Sequence, residues 1–167
     1  MAFALEPGWP QSLREAFAHI GTVTSPSVDD IKIMALVEAA SETLYQLSAK
    51  GTEHPGVIDI LHSNGREEMV HARRAAQVVG LLGGGEFEPP EAEDNPYLAA
   101  ADDLPVAAIT PEGLRKQAQG EFGGQALYES WAARIDNPQA AALLRQNGAE
   151  EVDHGNRLLA AAELLEG

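Results

Sequence analysis

Apolar positions in this 167-residue chain fall into long stretches of helical period, separated by short breaks rich in glycine, proline or acidic residues. The line Val57, Leu61, Asn64, Glu68, His71, Ala75, Val78, Leu82 steps by four and three throughout. So does the line Ala140, Leu144, Asn147, Glu151, His154, Leu158, Ala161, Leu165. Such a stripe is the buried seam of a bundle helix. Ser27 and Thr110 are N-cap candidates, each followed by acidic residues, and Pro111 suits a first helical position. The pattern predicts long helices over about Val28–Lys50, Pro55–Leu82, 111–135 and 138–165, with Gly51 closing the first and Gly83-Gly84-Gly85 the second. A short helix near residues 10–20, closed by Gly21, precedes them. Asn-Gly at 64–65 and 147–148 ordinarily signals a turn. Each glycine costs a helix about 1 kcal/mol against alanine. The seam runs through both, so a helix with a local irregularity is expected there.

The two seams are copies. Asn64-Gly-Arg-Glu-Glu-Met-Val-His71 recurs as Asn147-Gly-Ala-Glu-Glu-Val-Asp-His154, an offset of 83. The same offset relates Glu38 to Glu121, Tyr45 to Tyr128, Pro55 to Pro138, Leu61 to Leu144 and Arg74 to Arg157. Each half is therefore an antiparallel helix hairpin. The stretch 83–110 has no helical period. A loop that long needs a purpose: it must carry the chain from one end of the bundle to the other if the halves share a two-fold axis. A helix of about 28 residues is roughly 40 Å long, and this segment can reach about 90 Å. The expectation is an all-α four-helix bundle over 27–167, two hairpins joined by a long crossover, behind an N-terminal segment 1–26. Phe3, Trp9 and Phe17 in that segment fit either a cover for the bundle or a dimer contact.

Charge and composition narrow the partners. The net charge of −15 disfavours nucleic acid and anionic membranes. Cysteine is absent, which removes disulfides, thiol catalysis and iron–sulfur or rubredoxin-type iron sites. The N-terminus lacks the layout of a signal peptide, and no apolar run approaches a membrane span, so a cytoplasmic location is expected.

Four acidic or basic residues stand on the seams where a soluble bundle would put leucine. Glu-x-x-His places Glu68 with His71, and Glu151 with His154, on one helical face. The first turn is centred near Glu53, equally far from Glu38 and Glu68; the second, near Asp136, is equally far from Glu121 and Glu151. All four glutamates thus reach one layer. Buried carboxylates this close cost several kcal/mol each unless neutralised. Neither seam supplies Lys or Arg. Two divalent cations would balance them; shared protons are the alternative. Carboxylate with imidazole suits iron or manganese, with zinc a frequent substitute. Bridging by two glutamates would leave open positions for dioxygen or peroxide. Tyr45 and Tyr128, two turns beyond Glu38 and Glu121, either hold a ligand carboxylate by hydrogen bonding or are ordinary core tyrosines. Asn64 and Asn147 have the same two readings. Glu67 and Glu150, about 100° off the seam, are expected in solvent, as are His19, His54 and His62. Glu42 is a candidate extra ligand, although its counterpart is Gln125.

With Glu38, Glu68-Met69-Val70-His71, Glu121, Glu151-Val152-Asp153-His154 and the two tyrosines, the chain over about 27–165 resembles the ferritin-like di-iron carboxylate superfamily. Rubrerythrin-like di-iron domains are the nearest members. The resemblance implies Glu38 and Glu121 as terminal ligands, Glu68 and Glu151 as bridges, and one metal on each of His71 and His154. Gly124 stands where rubrerythrins carry a further ligand glutamate, and their cysteine-bound iron domain is missing. Met69 occupies the place of the haem-binding methionine of bacterioferritins, but Val152 replaces it in the other half, so haem is not expected. Gly167 comes just after the last predicted helix, so the fifth helix of ferritin cages is not expected. Ubiquinone-pathway hydroxylases share the same six ligands; the membrane-binding apolar patches usual in them are not evident here. The reading is a di-iron oxidoreductase acting on dioxygen or peroxide with an unidentified electron donor, as a homodimer or higher oligomer. A ferroxidase that handles iron without an organic substrate, and a metal-stabilised bundle without turnover, are the competing readings.

Overall fold

The computed structural model describes residues 3–99 and 106–167 and is all-helical over them, with no strand. Five helices appear in order: α1 (Leu13–Thr22), α2 (Val28–Ala49), α3 (Pro55–Leu81), α4 (Pro111–Ala132) and α5 (Pro138–Glu166). The four long ones form the expected bundle. α2 packs along α3, α4 along α5, and α3 against α5. α2 and α4 approach one another far less closely.

Local chemistry sets the boundaries. Ser27 and Asp30 make a reciprocal capping box at the start of α2. Thr110 caps α4, and Pro55, Pro111 and Pro138 each take a first-turn position whose missing N–H costs nothing. His54 caps α3, its Nδ1 accepting from Val57 N–H at 3.4 Å, so it has a structural role rather than being free in solvent. α4 stops three residues short of the expected 135. Its end tightens into i→i+3 bonds, Arg134 N–H to Trp131 O and Ile135 N–H to Ala132 O, which satisfy carbonyls a continuing helix would have used. α1 is displaced by two or three residues from 10–20, because Ser12 caps it by accepting from Glu15 N–H. Gly21 lies inside it, and the helix closes at an extended Val23.

No irregularity occurs at the two internal Asn-Gly pairs. Gly65 and Gly148 are buried within unbroken helices. A Cβ on Gly65 would sit 3.0 Å from Tyr45 Cβ and 3.2 Å from Glu42 O; one on Gly148 would sit 3.1 Å from Tyr128 Cβ. These glycines let each hairpin close tightly beside its tyrosine, which accounts for their propensity cost.

The crossover follows the length of α2. Gly84 lies beside Val28 at one end. Asn95 donates to Leu36 O at 3.0 Å midway, and Ile109 N–H bonds Gly51 O at 3.0 Å at the far end. Residues 100–105 of the expected 83–110 crossover lie outside the described residues. The N-terminal segment packs on this side: Trp9, Ala16 and Ile20 join the core formed by α2, and Phe3 meets Phe87 edge-on at 5.7 Å. His19 bonds Asp30 at 2.6 Å and pins α1 to α2, so it too is engaged. Leu61, Leu144 and Leu158 are fully buried on the seams, each contributing about 2 kcal/mol. Among the described residues no helix is long and apolar enough to cross a membrane.

Candidate metal centre

The helix register brings Glu68 and His71 from α3 against Glu151 and His154 from α5. One ligand atom from each lies within 4.8 Å of all the others, and all four residues are buried. The imidazoles stack across the two-fold at 5.1 Å. Glu38 from α2 lies against Glu68, and Glu121 from α4 against Glu151, flanking this group. Glu38 is 6 % exposed, whereas Glu121 is more accessible.

Each histidine is oriented by a carboxylate from the opposite half. His71 Nε2 lies 3.0 Å from Glu150, and His154 Nε2 lies 2.9 Å from Glu67. Arg74 bonds Glu150 at 2.5 Å, and Arg157 bonds Glu67 at 2.9 and 3.2 Å. These arginines hold both carboxylates below their ordinary range in spite of the burial that opposes it. An ionised carboxylate only accepts, so each Nε2 carries the hydrogen and each Nδ1 faces the centre. This corrects the expectation that Glu67 and Glu150 are merely solvated. A position 100° off the seam of α3 faces α5 across the bundle, and the repeat itself offered the clue, since Asn64, Glu67 and Arg74 all recur at Asn147, Glu150 and Arg157.

The tyrosines also cross between halves. Tyr45 donates to Glu121 and Tyr128 to Glu38. Asn64 donates to the Tyr45 oxygen at 3.3 Å and accepts from Arg157 at 3.1 Å. Asn147 does the same with Tyr128 and Arg74, at 3.3 and 3.1 Å. Each asparagine also donates to the backbone carbonyl of the opposite histidine. Two chains, Arg–Asn–Tyr–Glu, thus run from the α3–α5 side to the flanking carboxylates. Glu42 faces Glu91 and Arg73 instead of the cluster, so it does not join the site. His62 is exposed, beside Lys50 and Arg66. Met69 is buried on α3, next to Ala39 and Ala72.

Burial and mutual contact shift every carboxyl and imidazole of the centre. Burial, then the charges of Glu68 and Glu151, push Glu38 well up. Burial and contact with Glu151 push Glu121 up to about 9. Burial works the same way on Glu68 and Glu151, but contacts with the two histidines bring both below their ordinary value. Burial opposes charge on His71 and His154, yet the Glu151 and Glu68 carboxylates at 3.3–3.5 Å raise each to about 11. Despite that proximity, Glu68 Oε2, Glu151 Oε2 and both Nδ1 atoms are buried without a hydrogen-bond partner. Buried polar atoms are nearly always satisfied. Four orphans, two oxygens and two nitrogens, converge where a divalent cation pair would be coordinated, and hard carboxylate with imidazole is the donor set such ions take. The residues therefore fit a metal.

A cavity of about 700 Å³ opens between α2 and α4 and has Glu38, Glu68, Glu121 and Glu151 at its floor. Gly124 borders it: a Cβ there would stand 3.6 Å from the Glu151 carboxyl carbon.

Comparison with known proteins agrees with a ferritin-like di-iron fold. The chain is 43 % identical over 65 residues to the 3-demethoxyubiquinol 3-hydroxylase of Bordetella pertussis (strain Tohama I). The match covers 35 % of this chain and 29 % of that relative. No family model matches, and neither does a solved structure. The buried Glu/His cluster could hold a metal ion, and a specifically rubrerythrin-like character has no support among these matches.

Proposed function

We propose that this protein is a di-iron oxidoreductase that reacts with dioxygen or peroxide, with Glu38, Glu68, His71, Glu121, Glu151 and His154 as its ligands. The single observation that carries the reading is the set of four buried, unpartnered donor atoms at the meeting of α3 and α5. In this assignment Glu68 and Glu151 would hold the ions together with the two Nδ1 atoms, and Glu38 and Glu121 would complete the ligand set. When bound, iron supplies one-electron cycling between ferrous and ferric states. The protein's own part is orientation and charge. Glu67 and Glu150 fix the imidazole tautomers, while Tyr45 and Tyr128 fix the terminal carboxylates. The name of the bacterial relative favours hydroxylation of an organic molecule over peroxide reduction of the rubrerythrin kind, and the open cavity above the carboxylates gives such a molecule room.

Anaerobic titration with ferrous iron tests this. Two ions per chain, followed by repeated oxidation cycles when a reductant and dioxygen are supplied, is the expected result. One rapid oxidation without turnover would favour iron handling instead. Failure to bind two ions would remove both readings.

A further inference from the structure

The cleft between α2 and α4 has walls that the repeat should make alike, and they differ. Val37 and Ser41 line it from α2; their counterparts on α4 are Gly120 and Gly124, and Gly123 extends the bare strip. A Cβ on Gly120 or Gly123 would meet no atom within 4 Å. Unlike Gly65 and Gly148, these two glycines admit no other part of the chain. Each weakens α4 by about 1 kcal/mol against alanine, and each borders open space above the carboxylates.

That space has a definite chemical character. Its floor carries Glu68 and Glu151, both buried, each with an oxygen lacking any hydrogen-bond partner. Its walls include Met34, Leu44 and Leu127, and among the described residues no Lys, Arg or His lines it. An anionic ligand would shed its hydration in this cleft without gaining a Lys or Arg counter-ion from its walls, so burial selects against it. The lining on α4 extends from Gln117 to Ser130, about 20 Å of helix, which favours an elongated shape. Phe17 of α1, 45 % exposed, stands at the rim.

We propose that Gly120 and Gly123 are the specificity-determining wall of this cleft, and that it binds an uncharged, elongated, apolar organic molecule against the Glu68 and Glu151 side of the centre. What happens to that molecule rests on the oxidoreductase reading; whether it binds does not.

The test uses the full chain loaded with redox-inert zinc and titrated with Nile red, a neutral, elongated, apolar dye. Wild-type protein should bind one dye per chain saturably, and an anionic naphthalenesulfonate at least tenfold more weakly. In Gly120→Leu/Gly123→Leu, dye affinity should fall at least tenfold, with zinc content unchanged and a melting temperature equal to or above wild type, since leucine favours the helix. Gly120→Ala/Gly123→Ala, which adds only two methyl groups to open space, should weaken the dye by a smaller factor. Absence of saturable binding, or unchanged affinity in both double variants, would overturn the proposal. So would binding that disappears in step with dissociation of an oligomer on dilution, since the face would then be covered by a second copy. Dye binding by a chain that takes up no metal would leave the cleft standing and remove the oxidoreductase reading alone.

Discussion

Where α3 meets α5, Arg74, Asn147, Glu150 and His71 form a continuous hydrogen-bonded set, mirrored by Arg157, Asn64, Glu67 and His154. Where α2 faces α4, two tyrosine–carboxylate bonds cross a cleft walled by glycine and aliphatic side chains. Both seams enclose the same six residues. One of them leaves its side-chain polar atoms satisfied except those aimed at the centre; the other leaves space. A site that must hold its donors within fractions of an ångström and still admit a reactant needs both kinds of wall. The repeat supplies the symmetry of the first, and its breakdown at Gly120, Gly123 and Gly124 supplies the second.

The largest effect should come from the atoms common to both seams. Glu68→Ala removes a proposed bridge, and metal content by plasma mass spectrometry should fall from two per chain to one or none. The rise in melting temperature on adding metal should vanish with it. Retention of two ions would show that Glu68 does not bridge.

Glu67→Gln separates the seams. It removes the carboxylate behind His154 and leaves the cleft untouched, so metal affinity should drop about 10–100-fold while dye binding stays at the wild-type value. Equal loss of both would mean that the two seams act as one unit.

The pH dependence follows from the metal-free centre. The raised Glu38, Glu121 at about 9 and the histidines at about 11 hold protons at neutrality that a cation must displace. Apparent metal affinity should therefore rise from pH 6 to 9, with proton release on loading measurable by pH-stat. A carboxyl raised in the folded state contributes stability that is complete below its ordinary value of 4.5 and is lost as pH climbs toward its folded value. The same sign holds for the histidines above 6.5. Metal-free protein should thus lose stability across that window while the metal-loaded form does not; parallel denaturation curves at pH 6 and 8.5 check this.

The smallest effect lies at the rim. Asp30 closes the capping box of α2 and bonds His19 of α1. Burial opposes its charge, but Ser27 and His19 bring it below 3.8, so its contribution is present above that value and is lost as pH falls through the folded value. Asp30→Ala should cost about 1 kcal/mol in urea unfolding at pH 7 without changing metal content.

Much of this was legible beforehand because two physical constraints act on sequence directly. Helical period placed the seams, and the 83-residue offset tied Glu38, Glu68 and His71 to Glu121, Glu151 and His154 at one height. What escaped was anything defined by a neighbour. Glu67 and Glu150 look solvated when each helix is considered alone, and only the α3–α5 contact gives them their histidines. Tyr45 and Tyr128 lie near their own glutamates in sequence but bond those of the opposite half. Gly120 and Gly123 count simply as weak helix formers until the empty volume beside them is seen. Gly65 and Gly148 suggested an irregular helix because the tyrosine packed against each could not be inferred from one strand of sequence.

The central claim is that two metal ions sit among the orphaned donors. Anomalous diffraction at the iron edge, on crystals of the iron-loaded chain, tests it directly. The account predicts two peaks about 3.5–4 Å apart, bounded by Glu68, Glu151 and the Nδ1 atoms of His71 and His154. No peak there, with the four carboxylates sharing protons instead, or iron found only at surface acids, would contradict it.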